Sequence, residues 1–221
     1  MLNFILLILK ICKDIAMNNF PYGQKELDYL AAADQKLAAV IKAVGKIERQ
    51  IRPDVFASLI SSIISQQISG KAADTIHSRV ETLAGGSLTP LALQNLSADS
   101  LSSCGLSGTK VRYIQTAAQA AIDGTIDFAN LSHLPDQEVI AKLTALPGVG
   151  RWTAEMLLIF SLQRPDIISY ADFGIRKGME LLYGINKLSK KDFLHISAAY
   201  HPYATVASFY LWYVGNNNWQ P

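Results

Sequence analysis

From residue 24 onward, apolar side chains return at every third or fourth position, the spacing of a helix with one buried face. Leu27, Leu30 and Ala31, with Asp34 after them, begin such a stretch. Leu37, Val40, Ile41 and Val44 continue it, and Gly45 ends the helix. Arg52-Pro53-Asp54 is a break in which Asp54 is placed to cap the next helix. FASLISSIISQQ (56–67) follows, with Phe56, Leu59, Ile60, Ile63 and Ile64 on one face. The pattern predicts further helices over 72–83, closed by Gly85-Gly86, and over 89–95, 97–103 and 109–122. Helices over 136–146 and 152–162 flank Pro147-Gly148-Val149-Gly150, and helices over 175–182, 190–199 and 204–214 complete the set. Alternating β-branched runs are nearly absent, so an all-α fold is expected. No repeat is visible, and no linker is long enough to separate independent domains.

Composition agrees with a packed core: half of the 221 residues are apolar and 17% are charged, the reverse of a disordered chain. Lys plus Arg is 20 against 18 for Asp plus Glu, a net charge of +2. This excludes a histone-like polycation and leaves room for a local basic face. Two cysteines, Cys12 and Cys104, exclude a disulfide framework, a four-cysteine zinc site and a four-cysteine iron–sulfur cluster, and fit a reducing cytosol or nucleus. The apolar start, MLNFILLILKI (1–11), falls short of the roughly 20 residues needed to span a bilayer. Its positive charges, Lys10 and Lys13, come at the wrong end for a signal peptide. Residues 1–16 are read as an extension or a mis-called start, with Met17 as the native beginning. An extra helix packed on the body and a targeting segment are the alternatives.

Leu146-Pro-Gly-Val-Gly150 joins two amphipathic stretches. Pro147 lacks an N–H and ends the first helix. Gly148 and Gly150 allow positive φ and a close backbone approach. Val149 is an apolar peg between the helices. The N–H groups of residues 148–152 open the second helix and are expected to point outward unpaired, a natural phosphate site. A tight helix–helix turn without a ligand would use the same residues.

LPGVGRWTAEMLLIF (146–160), followed by ADFGIRKGMELLYG (171–184), resembles the helix-hairpin-helix (HhH-GPD) DNA glycosylase superfamily, which sets such a hairpin ahead of a single catalytic Asp. FASLISSIISQQIS (56–69) and LSGTKVRYIQTAA (106–118) resemble two further stretches of the family. The tail LWYVGNNNWQP (211–221) is similar to its alkylation-repair branch, the DNA-3-methyladenine glycosylase II type, here in a compact form. The resemblance implies two helical lobes with a cleft between them. One is contiguous, 54–163, and ends in the hairpin; the other joins 17–53 to 164–221.

Asp172 matches the catalytic Asp and precedes a helical run, where the helix dipole favours a carboxylate. An anion beside C1′ opposes the positive charge that gathers on the sugar as a base departs. At about 4 Å and an effective dielectric of 20 this is worth on the order of 4 kcal/mol, roughly a thousandfold in rate. The same carboxylate is suited to orient or deprotonate water. A plain N-cap Asp is the bland alternative. Bifunctional relatives carry a Lys two residues past the last Gly of the hairpin, and here that position is Trp152, so water is the expected nucleophile.

By the same resemblance, Trp152, Phe173 and Trp212, with Tyr170 as a weaker member, line a pocket for an extruded base; their core packing is the competing reading. Gln67, with Gln66, is expected to fill the gap left in the duplex. Gly148, Val149, Gly150, Arg151, Ser69, Lys110 and Arg112 are expected against the DNA backbone, and Lys71 near it. The carbonyls of Thr144, Leu146 and Val149 are implied as ligands of a structural monovalent cation. No other cofactor is implied, and no iron–sulfur cluster. His77, His133, His195 and His201 lack ligand spacing. The expected partner is duplex DNA with a damaged base, met by a monomer without a membrane, in the cytoplasm (nucleoid) or a nucleus. The activity expected is hydrolytic excision of alkylated bases of the 3-methyladenine and 7-methylguanine type, leaving an abasic site. A glycosylase for another damaged base and a non-catalytic hairpin module are the alternatives; the second gives Asp172 no reason to stand among aromatics.

Overall fold

A computed structural model describes residues 19–219; the extension 1–16 lies outside them. The described chain is helical: α1 (Gln24–Ala33), α2 (Gln35–Val44), α3 (Val55–Ser65), α4 (Gly70–Leu83), α5 (Pro90–Gln94), α6 (Ala98–Ser103), α7 (Gly108–Ile122), α8 (Asp136–Thr144), α9 (Arg151–Phe160), α10 (Phe173–Tyr183), α11 (Lys190–Ser197) and α12 (Ala204–Asn217). Its one β feature is an isolated bridge between Asn19 and Gln50. Among the described residues no helix is long and apolar enough to cross a membrane.

The ends of these helices follow side-chain chemistry. Asp54 caps α3 as expected, its carboxylate accepting the Ala57 N–H at 2.8 Å. Ser69, Ser97, Ser107 and Ser189 do the same for α4, α6, α7 and α11. Asp34 corrects the single helix expected over residues 24–44. Its backbone leaves the helical region (φ −146°, ψ 112°), and its carboxylate accepts the Leu37 N–H at 2.8 Å. The apolar period runs on through the break because both halves bury the same face, with Leu27, Leu30, Leu37 and Val40 all in the core. The helix predicted over 56–67 stops at Ser65, which frees Gln66 and Gln67 to form a turn.

Packing gathers α1, α2, α10 and α12 on one side, and α3 through α9 on the other. Phe160 of α9 stacks on Phe209 and Trp212 of α12, and one hydrophobic cluster runs through both groups. α10 and α12 form the most extensive helix pair. Gly178 lies so close to α12 that a Cβ there would sit 2.0 Å from the Leu211 carbonyl oxygen, and one on Gly215 would sit 2.6 Å from the Gly174 carbonyl oxygen. The far end of α10 is tied to α2, since the Tyr183 hydroxyl bonds to Asp34 and meets Tyr200. Burial, with Tyr200 and Asp34 adding to it, raises the Tyr183 phenol far above its ordinary range, so it remains a donor.

Gly178→Ala is expected to lower stability by about 1–3 kcal/mol in thermal or urea unfolding, because backbone must move to admit the methyl group. Gly70→Ala, at a position with nothing within 4 Å of a new Cβ, is expected to leave stability unchanged or slightly raised.

Candidate active site

Three elements converge on one carboxylate. Asp172 caps α10 and is 7% exposed, and its Oδ1 accepts the Ile175 N–H at 2.9 Å. Oδ1 also accepts the Trp212 indole N–H from α12, at 2.8 Å. Oδ2 accepts the Trp152 indole N–H from the first turn of α9, again at 2.8 Å. Indole and backbone N–H groups only donate, so every contact matches an acceptor-only carboxylate. Trp212 is held by stacking on Phe160 and Phe209, with centroids 5.8 and 6.1 Å away. Gly174 makes room for it, since a Cβ there would lie 2.8 Å from the indole Cδ1. Trp152 stays 45% exposed and Phe173, directly after the carboxylate, 72% exposed.

Trp152 also lines a cleft of 480 Å³, walled by Ser61, Ser62 and Ser65 of α3, by Gln66 and Gln67, and by Arg52. A 200 Å³ inner chamber shares Arg52 and Ser62 with it and reaches Phe160 and Ser161. A 590 Å³ cavity behind the hairpin, touching Gln119, Lys142 and Pro147, shares no residue with the carboxylate cage.

The hairpin between α8 and α9 is braced from two sides. Gly148 has φ 81°, and the Tyr113 ring of α7 lies where its Cβ would be, at 2.1 Å. The Gly148 carbonyl accepts from Gln66 Nε2 at 2.8 Å. Val149 is buried, and its amide donates to the Leu146 carbonyl at 3.2 Å; this corrects the expectation that every N–H from 148 to 152 faces outward. Gly150 is the N-cap of α9 and has no side chain to cap it, so the first-turn amides stay available. Arg151 is anchored through Nε to buried Glu155 at 2.7 Å, with its side chain 59% exposed.

These features coincide with kinship. Residues 60–199 match the HhH-GPD superfamily of base excision DNA repair proteins. The chain belongs to this superfamily. It is 32% identical over 191 residues to DNA-3-methyladenine glycosylase 1 of Schizosaccharomyces pombe, covering 83% of this chain and 84% of that one. A solved DNA-3-methyladenine glycosidase from Bacillus halodurans superposes with a TM-score of 0.84 at 38% identity, over 91% of this chain and 94% of that one. The Schizosaccharomyces pombe 3-methyladenine DNA glycosylase in complex with abasic DNA gives 0.76 at 30% identity, over 90% and 100%.

Within this glycosylase fold, Asp172, Trp152 and Trp212 come together, and Phe173, next to Asp172 in the chain, stands exposed. Tyr170 is turned elsewhere: its ring meets Phe193 edge-on at 5.1 Å and lies under the Arg176 guanidinium. Gln67 is exposed at the tip of its turn with φ 56°, a left-handed conformation that a non-glycine residue adopts at a cost of order 1 kcal/mol. Lys110 is aimed inward. Its ammonium donates to the carbonyls of Ile64 and Gln66, both at 2.7 Å, which takes up two of its three N–H donors. Burial lowers its pKa. Arg112, Ser69 and Lys71 are exposed. The Thr144 hydroxyl bonds to the Ile140 carbonyl, and among the described residues no cluster of His, Cys, Asp or Glu is set to hold a metal.

Sequence reasoning passed over the serine wall, Tyr113, Glu155 and Gly174. The serine wall had a signal in the polar positions 58, 61, 62 and 65 opposite the apolar face of α3. Glu155 had one in its i,i+4 spacing from Arg151, whereas Tyr113 had none, because its partner Gly148 lies on another element.

Lys110→Met is expected to leave two carbonyls unpaired and to destabilise the protein by about 1–3 kcal/mol. Hydrogen exchange should report it as faster exchange at residues 64–69, whereas Arg112→Met should leave that segment as it was.

Proposed function

We propose that the protein is a monofunctional DNA glycosylase that extrudes alkylated bases from duplex DNA and hydrolyses their glycosidic bond, leaving an abasic site. The observation that carries this reading is the Asp172 carboxylate, fixed by three N–H donors, one of them the exposed Trp152 indole that lines the cleft. Bases act as substrates here only once out of the stack. A ring-alkylated purine is cationic, so the faces of Trp152 and Phe173 attract it by about 0.5–2 kcal/mol each. It is a good leaving group without a general acid, so one carboxylate suffices to stabilise the sugar and to orient water. Lesions whose bases are neutral would need a proton donor that the cage does not supply.

The amides of Gly150, Arg151 and Trp152, with the Arg151 side chain, form the phosphate contact, and Gln67 fills the gap in the duplex. Carbonyls of Thr144, Leu146 and Val149, hard oxygen donors within one turn, would hold a monovalent cation that stiffens the hairpin; the Leu146 oxygen keeps a lone pair beside its bond to Val149. The position that carries the Schiff-base lysine in bifunctional relatives is Trp152, whose N–H is already given to Asp172, so water is the nucleophile.

The test is release of free bases from methylated DNA. The intact protein should release 3-methyladenine or 7-methylguanine. Asp172→Asn should release them at least about a thousandfold more slowly, because its amide also sets an N–H against that of Trp152. The strand should break only after alkali, and borohydride should trap no covalent adduct. Near-intact excision by the variant, or a trapped adduct, contradicts the proposal.

A further inference from the structure

The serine wall of the cleft has a defined polarity. Ser61, Ser62 and Ser65 each donate their single hydroxyl proton to the carbonyl four residues back, of Ala57, Ser58 and Ser61, at 2.8, 2.9 and 2.8 Å. A hydroxyl that has spent its proton presents only lone pairs. Ser61 is further fixed by His77, whose Nε2 lies 2.9 Å away and donates to it when the Ser61 proton is on Ala57. The face of α3 toward Trp152 is therefore a row of acceptors.

Deeper in, Ser161 lines the inner chamber. It is 4% exposed, and its hydroxyl has no hydrogen-bond partner. A buried hydroxyl without a partner costs about 1–3 kcal/mol and is relieved by a ligand that bonds to it. Arg52, exposed at the junction of the two chambers, is the cation of the lining.

We infer that this wall is a specificity device of the glycosylase proposed above, reading the extruded base through an exocyclic amino group whose N–H donors meet Ser62 and Ser65. A purine with an amino group satisfies the row of lone pairs. One without it leaves them facing carbon or another acceptor, and a site built for a hydrogen bond discriminates against the analogue that lacks it. Aromatic faces alone do not distinguish two purines of equal charge; the serine row does.

The test compares duplexes carrying one 7-methylguanine or one 7-methylhypoxanthine. These bases share charge and leaving nitrogen and differ by the 2-amino group. In single-turnover release, the intact protein should favour 7-methylguanine by about tenfold, the worth of one hydrogen bond. The Ser62→Ala/Ser65→Ala variant should lose that preference by slowing on 7-methylguanine alone. Ser62→Thr/Ser65→Thr, whose hydroxyls make the same backbone bonds, should restore it. Equal release of the two bases by the intact protein overturns the inference and leaves the glycosylase reading standing. An unchanged preference in the alanine variant does the same. Release of neither base overturns both.

Discussion

One buried carboxylate, accepting N–H bonds from three separate helices, sets the terms for the rest of the molecule. Asp172 takes its donors from the backbone of α10, from Trp152 on α9 and from Trp212 on α12. Trp152 and Trp212 lie 20 and 40 residues from Asp172 in sequence, and Trp212 reaches it because α10 lies almost backbone to backbone on α12. Gly178 and Gly215 permit that approach, and Gly174 admits the indole edge. A carboxylate so held needs no reorganisation when positive charge develops beside it, which is the condition for electrostatic catalysis. The same bonds link the packing group of α9 to that of α10 and α12.

The features proposed to face DNA show the same economy of position. The hairpin is held by Tyr113 beneath and Gln66 beside it, while the turn carrying Gln67 is held by Lys110 through two carbonyls. Gln66 bonds to the hairpin and neighbours the exposed Gln67, so the proposed phosphate site and the side chain proposed to enter the duplex share one brace. The cation of Lys110 works from inside the protein, and Arg151, steadied by buried Glu155, faces outward at the helix start.

Helix positions were legible because their apolar spacing and caps are local properties. Asp54 announced α3, and the polar-to-apolar rhythm located most of the others within two residues. Asp34 was misread because its cap leaves the apolar period undisturbed. Asp172 and its aromatic neighbours were legible through the family resemblance. The resemblance named the superfamily that residues 60–199 then matched. What the linear chain did not disclose depends on long-range geometry: the inward aim of Lys110, the turn of Tyr170 toward Phe193, and the proton directions that make the α3 serines acceptors. Each follows from a partner more than twenty residues away or from the closing of a helical turn around it.

The most direct test of the account is the single-turnover excision rate of Trp212→Phe on DNA carrying 3-methyladenine or 7-methylguanine, beside its affinity for abasic DNA. Phenylalanine retains an aromatic ring to stack on Phe160 and Phe209, and loses the N–H given to Asp172 along with one ring of the indole. Excision should fall roughly tenfold to a hundredfold, the range for a hydrogen bond to a charged group, with affinity for abasic DNA unchanged. An excision rate equal to that of the intact protein would contradict the claim that the indole cage holds the carboxylate in its working position.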